Sequence, residues 1–201
     1  MSDELTAALR EHQAAFGIEL SDGQIGSLNA YYGVVMKHNE LLHLVSPCTA
    51  EEFATRHILE SLTLLKHLPQ NAKFADVGAG AGLPSIPCLL VREDLKALLI
   101  ESKEKKTTFL NEAVTALDLE KRAQIVNRQF AEADPAGCSY VTCRALDKFS
   151  EKLSRLVRWS DGRKMLLFGG NNLFAKIDEV GLGSSSELMP LSEQRFLFVV
   201  G

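Results

Sequence analysis

The spacing of hydrophobic and polar residues divides the chain into two parts. Over residues 1–69, apolar residues recur three or four positions apart, which is the period of an amphipathic helix. Helix-capping signals bracket three such stretches: Ser2 and Gly17, Ser21 with Gln24, and Thr49 with Glu52 followed by Pro69. We therefore predict an N-terminal extension of three helices.

Beyond residue 70, short apolar runs alternate with segments of helical period. Strands are predicted at 74–77, 97–100, 123–126, 140–143 and 165–168, with helices near 84–91, 103–117 and 148–157. A final pair, 186–191 and 195–200, suits an antiparallel hairpin at a sheet edge, and 181–185 suits a flexible loop. The pattern predicts an α/β fold, with a Rossmann-like, doubly wound and mostly parallel sheet over 70–201 and the helical extension over 1–69.

The composition narrows the class of protein. With 22 basic and 26 acidic residues the net charge is −4, so contact with a nucleic acid would need a local basic patch. The four cysteines form no Cys-x-x-Cys pair, and we expect free thiols and no metal site. The first residues include no apolar signal segment, and no run reaches the roughly 18 apolar residues of a membrane span. These features predict a soluble, cytoplasmic protein, and a monomer because nothing in the sequence demands a dimer.

The most informative stretch is a glycine-rich turn directly after a predicted strand. Residues 74–83 read Phe-Ala-Asp-Val-Gly-Ala-Gly-Ala-Gly-Leu, which places Gly78, Gly80 and Gly82 at alternate positions. Glycines in such a turn let the backbone approach a nucleoside cofactor. Glu101 ends the next apolar run, about 20 residues further on, where a carboxylate meets the ribose in a doubly wound sheet. The turn therefore predicts a nucleoside-cofactor enzyme.

The spacing of the glycines indicates which cofactor. A dinucleotide fingerprint needs Gly-x-Gly-x-x-Gly, whereas Leu83 occupies the place of its third glycine. With Asp76 two positions before the first glycine, the run resembles the first motif of class I S-adenosylmethionine methyltransferases. In that interpretation Asp76 approaches the methionine ammonium, Glu101 accepts both ribose hydroxyls, and the glycine backbone lies under the adenosine.

The similarity extends to four further strings. They are Arg-His-Ile-Leu-Glu-Ser-Leu from Arg56, Gly-Leu-Pro-Ser-Ile-Pro from Gly82, Glu-Ser-Lys from Glu101 and Arg-Ala from Arg144. Together they resemble the small-subunit ribosomal RNA guanine-N7 methyltransferase family, also called glucose-inhibited division protein B, over residues 25–170 and 195–200. The resemblance implies S-adenosylmethionine as methyl donor, S-adenosyl-L-homocysteine as product, and a guanine in 16S rRNA of the small ribosomal subunit as acceptor.

The turn and the resemblance together give the candidate cofactor residues. These are Asp76, Gly78, Gly80, Gly82, Leu83, Glu101, Ser102, Gln129, Phe130 and Arg144. The chain also departs from the family, which usually has an acidic residue at Phe130, an aspartate near Ser139, Lys-Gly at Gly169-Gly170, and Asn-Leu-Thr from His43. Phe130 can still stack on adenine, whereas glycine at 169 removes a lysine that would contact rRNA or substrate.

The expected chemistry needs alignment rather than a catalytic base, because guanine N7 carries an available lone pair. The protein would align N7, the methyl carbon and sulfur, and exclude water. Arg144 follows the predicted fourth strand, where ligands of open α/β sheets bind, and is a positioning candidate toward the cofactor carboxylate or an RNA phosphate. Arg56 is a second positioning candidate, with pairing to Glu60 one helical turn away as its alternative role. We interpret His57 as a packed, hydrogen-bonded histidine.

Two groups of basic residues are candidates for RNA binding. The first group lies at the start of one predicted helix and comprises Lys103, Lys105 and Lys106. The second lies on and just after a later helix and comprises Lys148, Lys152, Arg155, Arg158, Arg163 and Lys164. Lysine and arginine at such positions can hold phosphates, with a solvated helix face as the alternative explanation.

Two alternatives to an active rRNA methyltransferase stay open. A nicotinamide-dependent oxidoreductase would use the same sheet, but the glycine spacing and the lack of an evident Tyr-x-x-x-Lys relay count against it. A non-catalytic ribosome-binding or assembly protein would keep the fold, and the departures at Phe130 and Gly169 keep this alternative open.

Overall fold

The computed structural model describes residues 2–135, 137–144 and 149–201. Three helical stretches come first: α1 (Asp3–His12), α2 (Asp22–Leu42) and α3, which covers 50–67. α3 is one continuous helical run, in which Phe53–Leu59 winds as a π-helix and Thr63–His67 as a 3-10 helix. The extension is therefore helical, as the sequence predicts.

The predicted capping residues are confirmed. The Ser2 hydroxyl accepts a backbone hydrogen bond from the first turn of α1. Capping boxes close the first turns of α2 and α3, formed by Ser21 with Gln24 and by Thr49 with Glu52. Gly17 ends the first helical stretch at a φ of 67°, in the left-handed region that glycine adopts without a steric cost.

Strands and helices alternate in the rest of the described chain. The strands are β1 (Lys73–Val77), β2 (Lys96–Glu101), β3 (Ala123–Asn127), β4 (Tyr140–Cys143), β5 (Lys164–Gly169), β6 (Ser184–Leu188) and β7 (Phe196–Val200). The helices are α4 (Ser85–Val91), α5 (Glu104–Ala116), α6 (Phe149–Ser160) and α7 (Asn171–Glu179). The strands form one sheet in the order β3-β2-β1-β4-β5-β7-β6. Strands β1 to β5 are parallel and β7 is antiparallel to β5 and β6, which confirms the predicted sheet.

Two details near the sheet edge differ from the prediction. Ser184 and Ser185, assigned to a flexible loop, belong to β6 and pair with Val200 and Val199 of β7. Their polarity conceals the strand, because an exposed edge strand is held by backbone hydrogen bonds rather than by buried apolar side chains. Helix α7, between β5 and β6, is not among the predicted helices.

The core lies on both faces of the sheet, because successive strand residues point to opposite sides. Phe74 packs on the face covered by α1 to α5, whereas Ala75 and Val77 pack on the face covered by α6 and α7. Apolar side chains of α1, α2 and α3 join the first of these clusters. The division of the chain at residue 69 stays a prediction.

The strand order places a crevice at the carboxyl ends of β1 and β4. The connection from β1 leads to β2 on one side of β1, whereas the connection from β3 leads to β4 on the other side. These two connections therefore run in opposite directions and leave a crevice at these strand ends. Open α/β sheets bind their ligands at such a switch point. Among the helices of the described ranges, none is long and apolar enough to cross a membrane.

Candidate cofactor and acceptor site

The carboxyl ends of β1 and β2 open into a cavity of about 450 Å³, within the range of small-molecule and cofactor sites. It is lined by Leu44, Val45, Ser46, His57, Gly78, Ala79, Gly80, Ala81, Leu83, Glu101, Ser102, Lys103, Lys106, Gln129, Arg144 and Lys152. Most of the candidate cofactor residues come together here. Asp76, Gly82 and Phe130 are outside this lining.

Positive φ angles shape the glycine turn. Gly78, Gly80 and Gly82 have φ of 74°, 54° and 87°, a region that is costly for residues with a Cβ. The turn is anchored to the sheet, because Gly78 N–H donates to the Ile100 carbonyl at 2.9 Å. At Gly82 a Cβ would also overlap with the Ile86 side chain. The turn therefore combines a cavity-facing backbone at Gly78 and Gly80 with a packing requirement at Gly82.

The Glu101 carboxylate is fixed at the end of β2. Its two oxygens accept backbone hydrogen bonds, from Gly80 N–H at 3.1 Å and from Lys103 N–H at 2.8 Å. The Asn127 amide holds the same strand end by donating to the Glu101 carbonyl at 3.0 Å. Each carboxylate oxygen has two lone pairs, so both oxygens keep accepting capacity for a ligand.

Asp76 lies beside the turn, fully buried in β1. One carboxylate oxygen accepts a hydrogen bond from the Ser85 hydroxyl at 2.6 Å. The other, Oδ1, has no hydrogen-bond partner within the described residues. Burial raises the pKa of Asp76 to about 7, against the opposing hydrogen bonds from Ser85.

Helix α3 meets the sheet through a buried ion-pair network. Glu60, which is 3% exposed, pairs with Arg144 Nη2 at 3.2 Å and with Arg195 Nε at 2.6 Å. Arg144 also donates to the Ser61 hydroxyl at 3.0 Å and to the backbone carbonyl of Arg56. Arg144 thus lines the cavity, as expected for a positioning residue, and at the same time fixes the helix that covers it.

Arg56, a positioning candidate, is outside the lining of the cavity, and its alternative role of pairing with Glu60 is not found either. Arg56 is exposed and lies 3.8 Å from Glu52, one helical turn in the opposite direction. The reason is that the Glu60 carboxylate is buried and turned toward Arg144.

The expectation for His57 is half confirmed. Its ring packs edge-on against Phe53 at 5.1 Å, but its buried Nδ1 has no hydrogen-bond partner among residues that the structure describes. The ring also lines the cavity. Burial, with the positive charges of Arg144 and Arg56, lowers the pKa of His57 to about 3, so the ring is neutral at pH 7.

Phe130 packs into the protein core, on the face of the sheet that α6 covers. Its ring meets Trp159 edge-on at 5.7 Å, and the Arg155 guanidinium lies 5.7 Å from the ring centroid. Only 6% of Phe130 is exposed, and its neighbour Gln129 lines the cavity instead. The buried position of the Phe130 ring therefore does not support the prediction that it stacks on adenine.

The two basic groups lie near the cavity. Lys103 and Lys106 line it, and Lys105 joins them in a neighbouring groove of about 490 Å³ beside Leu41. From the second group, Lys152 lines the cavity, whereas Arg155 and Arg158 are exposed on α6. Lys148 lies outside the described residues, and Arg163 and Lys164 lie at the amino end of β5, away from the cavity.

A second cavity of about 210 Å³ shares Arg144 with the first. It lies at the ends of β4, β5 and β7, and is lined by Glu60, Arg144, Phe168, Gly169, Gly170, Met189, Arg195 and Phe196. The Arg144 guanidinium lies 5.4 Å from the Phe168 ring centroid. A Cβ at Gly169 would lie 2.9 Å from Leu173 Cβ, so the packing of α7 accounts for glycine at this position.

Sequence reasoning missed part of the cavity wall. Leu44, Val45 and Ser46 reach it from the connection between α2 and α3. The departure of His43 and Val45 from the Asn-Leu-Thr pattern expected from the family resemblance marks the segment, but its placement depends on how α2 packs. Tyr31 of α2 also reaches the glycine turn, through its hydroxyl.

The strand order and the glycine turn define a class I methyltransferase fold. Solved structures agree: precorrin-6y C5,15-methyltransferase of Geobacter metallireducens matches with a TM-score of 0.55 and 14% identity, over 71% of this chain and 87% of that one. P. horikoshii TYW2 in complex with MeSAdo matches with a TM-score of 0.53 and 16% identity, over 72% and 61%.

Sequence comparison is more specific. The family model described as GidB, rRNA small subunit methyltransferase G, matches residues 24–181. A relative named ribosomal RNA small subunit methyltransferase G, from Chromobacterium violaceum, is 33% identical over 166 residues, covering 82% of this chain and 79% of the relative. The chain belongs to the rRNA small subunit methyltransferase G family, which confirms the resemblance found in the sequence.

Proposed function

We propose that this protein transfers a methyl group from S-adenosylmethionine to N7 of a guanine in 16S rRNA of the small ribosomal subunit. The observation that carries the proposal is the pair of cavities at neighbouring strand ends, which share Arg144. The first has the features of a nucleoside-cofactor site and the second has room for a base. Because the proposed substrate is ribosomal RNA, we expect the protein to act in the cytoplasm. We also expect it to be a monomer.

The residues of the first cavity fit the cofactor. The fixed Glu101 carboxylate suits the two ribose hydroxyls, and the backbone of Gly78 and Gly80 can lie against the nucleoside. The unpartnered Asp76 Oδ1 suits an ammonium group, reached directly or through water. Ser102, Leu83 and Gln129 complete the wall. When bound, S-adenosylmethionine supplies an electrophilic methyl group on a sulfonium.

The second cavity is our proposed acceptor site. Phe168 and Phe196 offer aromatic surface to a purine, whereas the Glu60 carboxylate of this lining is already paired with Arg144 and Arg195. Methylation at N7 makes the ring cationic, so the aromatic faces stabilise the product and the transition state that precedes it. The lone pair of N7 attacks the methyl carbon as the carbon–sulfur bond breaks, and no proton transfer is needed.

Alignment is then the main contribution of the chain. Arg144 separates the two cavities and is held by four groups of α3 and β5 rather than by solvent. A group fixed in this way keeps the acceptor and the donor in one geometry, which converts a bimolecular reaction into an effectively unimolecular one.

The basic residues around the cavity mouth supply the RNA contact. Lys103, Lys105 and Lys106 flank one side, and Arg155 and Arg158 lie on α6 beside Lys152, on the other. A net negative protein needs such a local patch to hold phosphates. A single-stranded or folded-out guanine is the target, because the deep major groove of A-form RNA hides N7.

A non-catalytic ribosome-binding protein is the second candidate. It is favoured by Gly169, which lies in the second cavity at a position where the family resemblance leads us to expect lysine. Arg144 and Arg195 are the cations that remain in that lining.

The deciding experiment is methyl transfer to small subunits, and to naked 16S rRNA, that lack the mark. We expect labelled methyl incorporation at one guanine, located by strand cleavage at N7-methylguanine. RNA binding without transfer would overturn the enzymatic proposal and leave the binding protein. Calorimetry with S-adenosyl-L-homocysteine and with NAD separates a methyltransferase from an oxidoreductase.

A further inference from the structure

Tyr31 connects the N-terminal helices to the cofactor turn. It lies on α2, its ring is fully buried, and its hydroxyl donates a hydrogen bond to the Ala81 carbonyl at 3.0 Å. Ala81 belongs to the glycine turn and lines the first cavity. The two residues are 50 positions apart, so the contact exists only in the folded chain.

The glycine turn needs support of this kind. Ala81 lies between Gly80 and Gly82, which both have positive φ and little backbone stiffness of their own. The turn closes on itself through Gly82 N–H, which donates to the Ala79 carbonyl at 2.7 Å. The Tyr31 hydroxyl adds a hydrogen bond from outside the turn, to the buried carbonyl of Ala81. Without this hydroxyl the carbonyl would lose that hydrogen bond, which is costly for a buried acceptor.

Helix α2, which carries Tyr31, is itself held in place by contacts with neighbouring helices. The Gln24 amide donates to the Val91 carbonyl at the end of α4, at 2.9 Å. Further along α2, His38 lies 3.2 Å from the Glu112 carboxylate of α5. Helix α2 thus contacts the helices that follow β1 and β2. Burial raises the pKa of Tyr31, so the hydroxyl keeps its proton and stays a donor.

We propose that Tyr31 is a positioning residue of the cofactor site, whose hydroxyl fixes the Ala81 carbonyl and with it the backbone of the glycine turn. The N-terminal helices then take part in cofactor binding and do more than complete the core. The inference rests on the proposed function, since S-adenosylmethionine is the ligand that the turn would hold.

The chain offers a matched pair of variants for the test. Tyr31→Phe removes only the hydroxyl, and Tyr32→Phe removes the same group from the next residue of α2, which is half-buried and packs on Phe53 at 4.9 Å. We expect Tyr31→Phe to weaken S-adenosyl-L-homocysteine binding about fivefold, measured by calorimetry, and to raise KM for S-adenosylmethionine while kcat changes little. Tyr32→Phe should leave both unchanged.

Amide hydrogen exchange at Gly80–Gly82 without ligand provides a second readout that a general loss of stability would not mimic. We expect faster exchange there in Tyr31→Phe, with unchanged exchange in the core strands. Equal affinity and equal exchange in Tyr31→Phe and the natural protein would overturn the inference. A natural protein that binds no S-adenosyl-L-homocysteine overturns the proposed function instead, while the exchange at the turn still tests Tyr31.

A measurement on the unaltered protein covers the case in which Tyr31→Phe does not fold. The chain has three tyrosines, so a sample labelled at the tyrosine ring carbons gives few resonances. Addition of S-adenosyl-L-homocysteine should shift the Tyr31 ring-carbon signal next to the hydroxyl more than that of Tyr32. An unmoved Tyr31 signal at saturation would contradict the inference.

Discussion

Arg144 donates a hydrogen bond to Glu60 over 3.2 Å, although 84 residues separate them in the chain. The pair joins the end of β4 to α3 and lies between the two cavities. Glu60 is buried, and Arg195 shares its carboxylate at 2.6 Å, so two guanidinium groups pair with one negative charge. The network therefore holds together the helix that covers the site and the strand ends that form its floor.

Glu60→Gln should destabilise the protein by roughly 2–4 kcal/mol, because removal of one partner leaves buried guanidinium charge uncompensated. Urea unfolding monitored by circular dichroism measures this change. Glu52→Gln is the matched control on the same helix: its carboxylate pairs with exposed Arg56 at 3.8 Å, and glutamine preserves the capping box. Similar small losses in both variants would contradict the stabilising role of the network.

Gly82→Ala should destabilise the protein by at least about 2 kcal/mol, since alanine is strained at a φ of 87° and its Cβ would overlap with Ile86. It should also weaken cofactor binding through the distorted turn. Gly33→Ala is the control, because a Cβ at Gly33 in α2 has open space, and we expect a gain of about 0.5–1 kcal/mol. Thermal unfolding and calorimetry with S-adenosyl-L-homocysteine check both. Equal effects would show that the turn tolerates a side chain.

Glu101→Gln should weaken S-adenosyl-L-homocysteine binding by at least tenfold, about 1.4 kcal/mol, because the amide turns a donor toward Gly80 N–H or Lys103 N–H. Glu104→Gln, three residues away and exposed, should bind normally. Isothermal titration calorimetry compares the two. Full affinity in Glu101→Gln would remove Glu101 from the set of cofactor residues.

The Asp76 carboxyl predicts a pH dependence of stability with a defined sign. Its pKa is about 7 in the folded protein against an ordinary value of 3.8, so between these values the folded state binds a proton that the unfolded chain has released. The free energy of unfolding contributed by this group therefore falls as pH rises through that window, by at most about 1.4 kcal/mol per pH unit. Asp76→Asn should match the natural protein near pH 4 and exceed its stability at pH 8. Parallel stability curves for the two proteins would contradict the raised pKa.

Charge reversal at Lys105, Lys106, Arg155 and Arg158 should weaken RNA binding and flatten its salt dependence. The logarithmic slope should fall by roughly 0.7–0.9 for each phosphate that the protein no longer neutralises. Lys121→Glu is the control, because Lys121 is exposed just before β3, at the opposite end of the strands from the cavity. Fluorescence anisotropy with an rRNA fragment at several salt concentrations measures the slopes. Unchanged affinity at low salt would refute the proposed RNA surface.

Local signals in the sequence predict much of the fold. The capping boxes at Ser21 and Thr49 and the short apolar runs of the strands, such as the one before Gly78, are features of residues close in the chain. Such features are decided by backbone sterics and local hydrogen bonds, so a short stretch is enough to predict them. For the same reason the position of Glu101 at the cavity can be predicted from the end of an apolar run.

The errors fall where distant residues compete for one partner. Helical spacing offers Arg56 to Glu60, but the Glu60 carboxylate turns toward Arg144 and Arg195, which arrive from β4 and from the approach to β7. Phe130 occupies the position of an acidic residue in the family, yet an apolar ring is more stable against Trp159 in the core. Ser184 gives a loop signal that its pairing with β7 overrides.

By itself, the sequence determined the helical extension, the parallel sheet with its antiparallel edge, the glycine turn and the methyltransferase family. Each of these depends on periodicity, on backbone conformation or on strings of adjacent residues. Only the tertiary structure decided that Glu60 is shared by two arginines, that Tyr31 holds the carbonyl of Ala81, and that a second cavity adjoins the first. Those contacts join residues far apart in the chain, and their free energy exists only once hydrophobic packing has brought the helices onto the sheet.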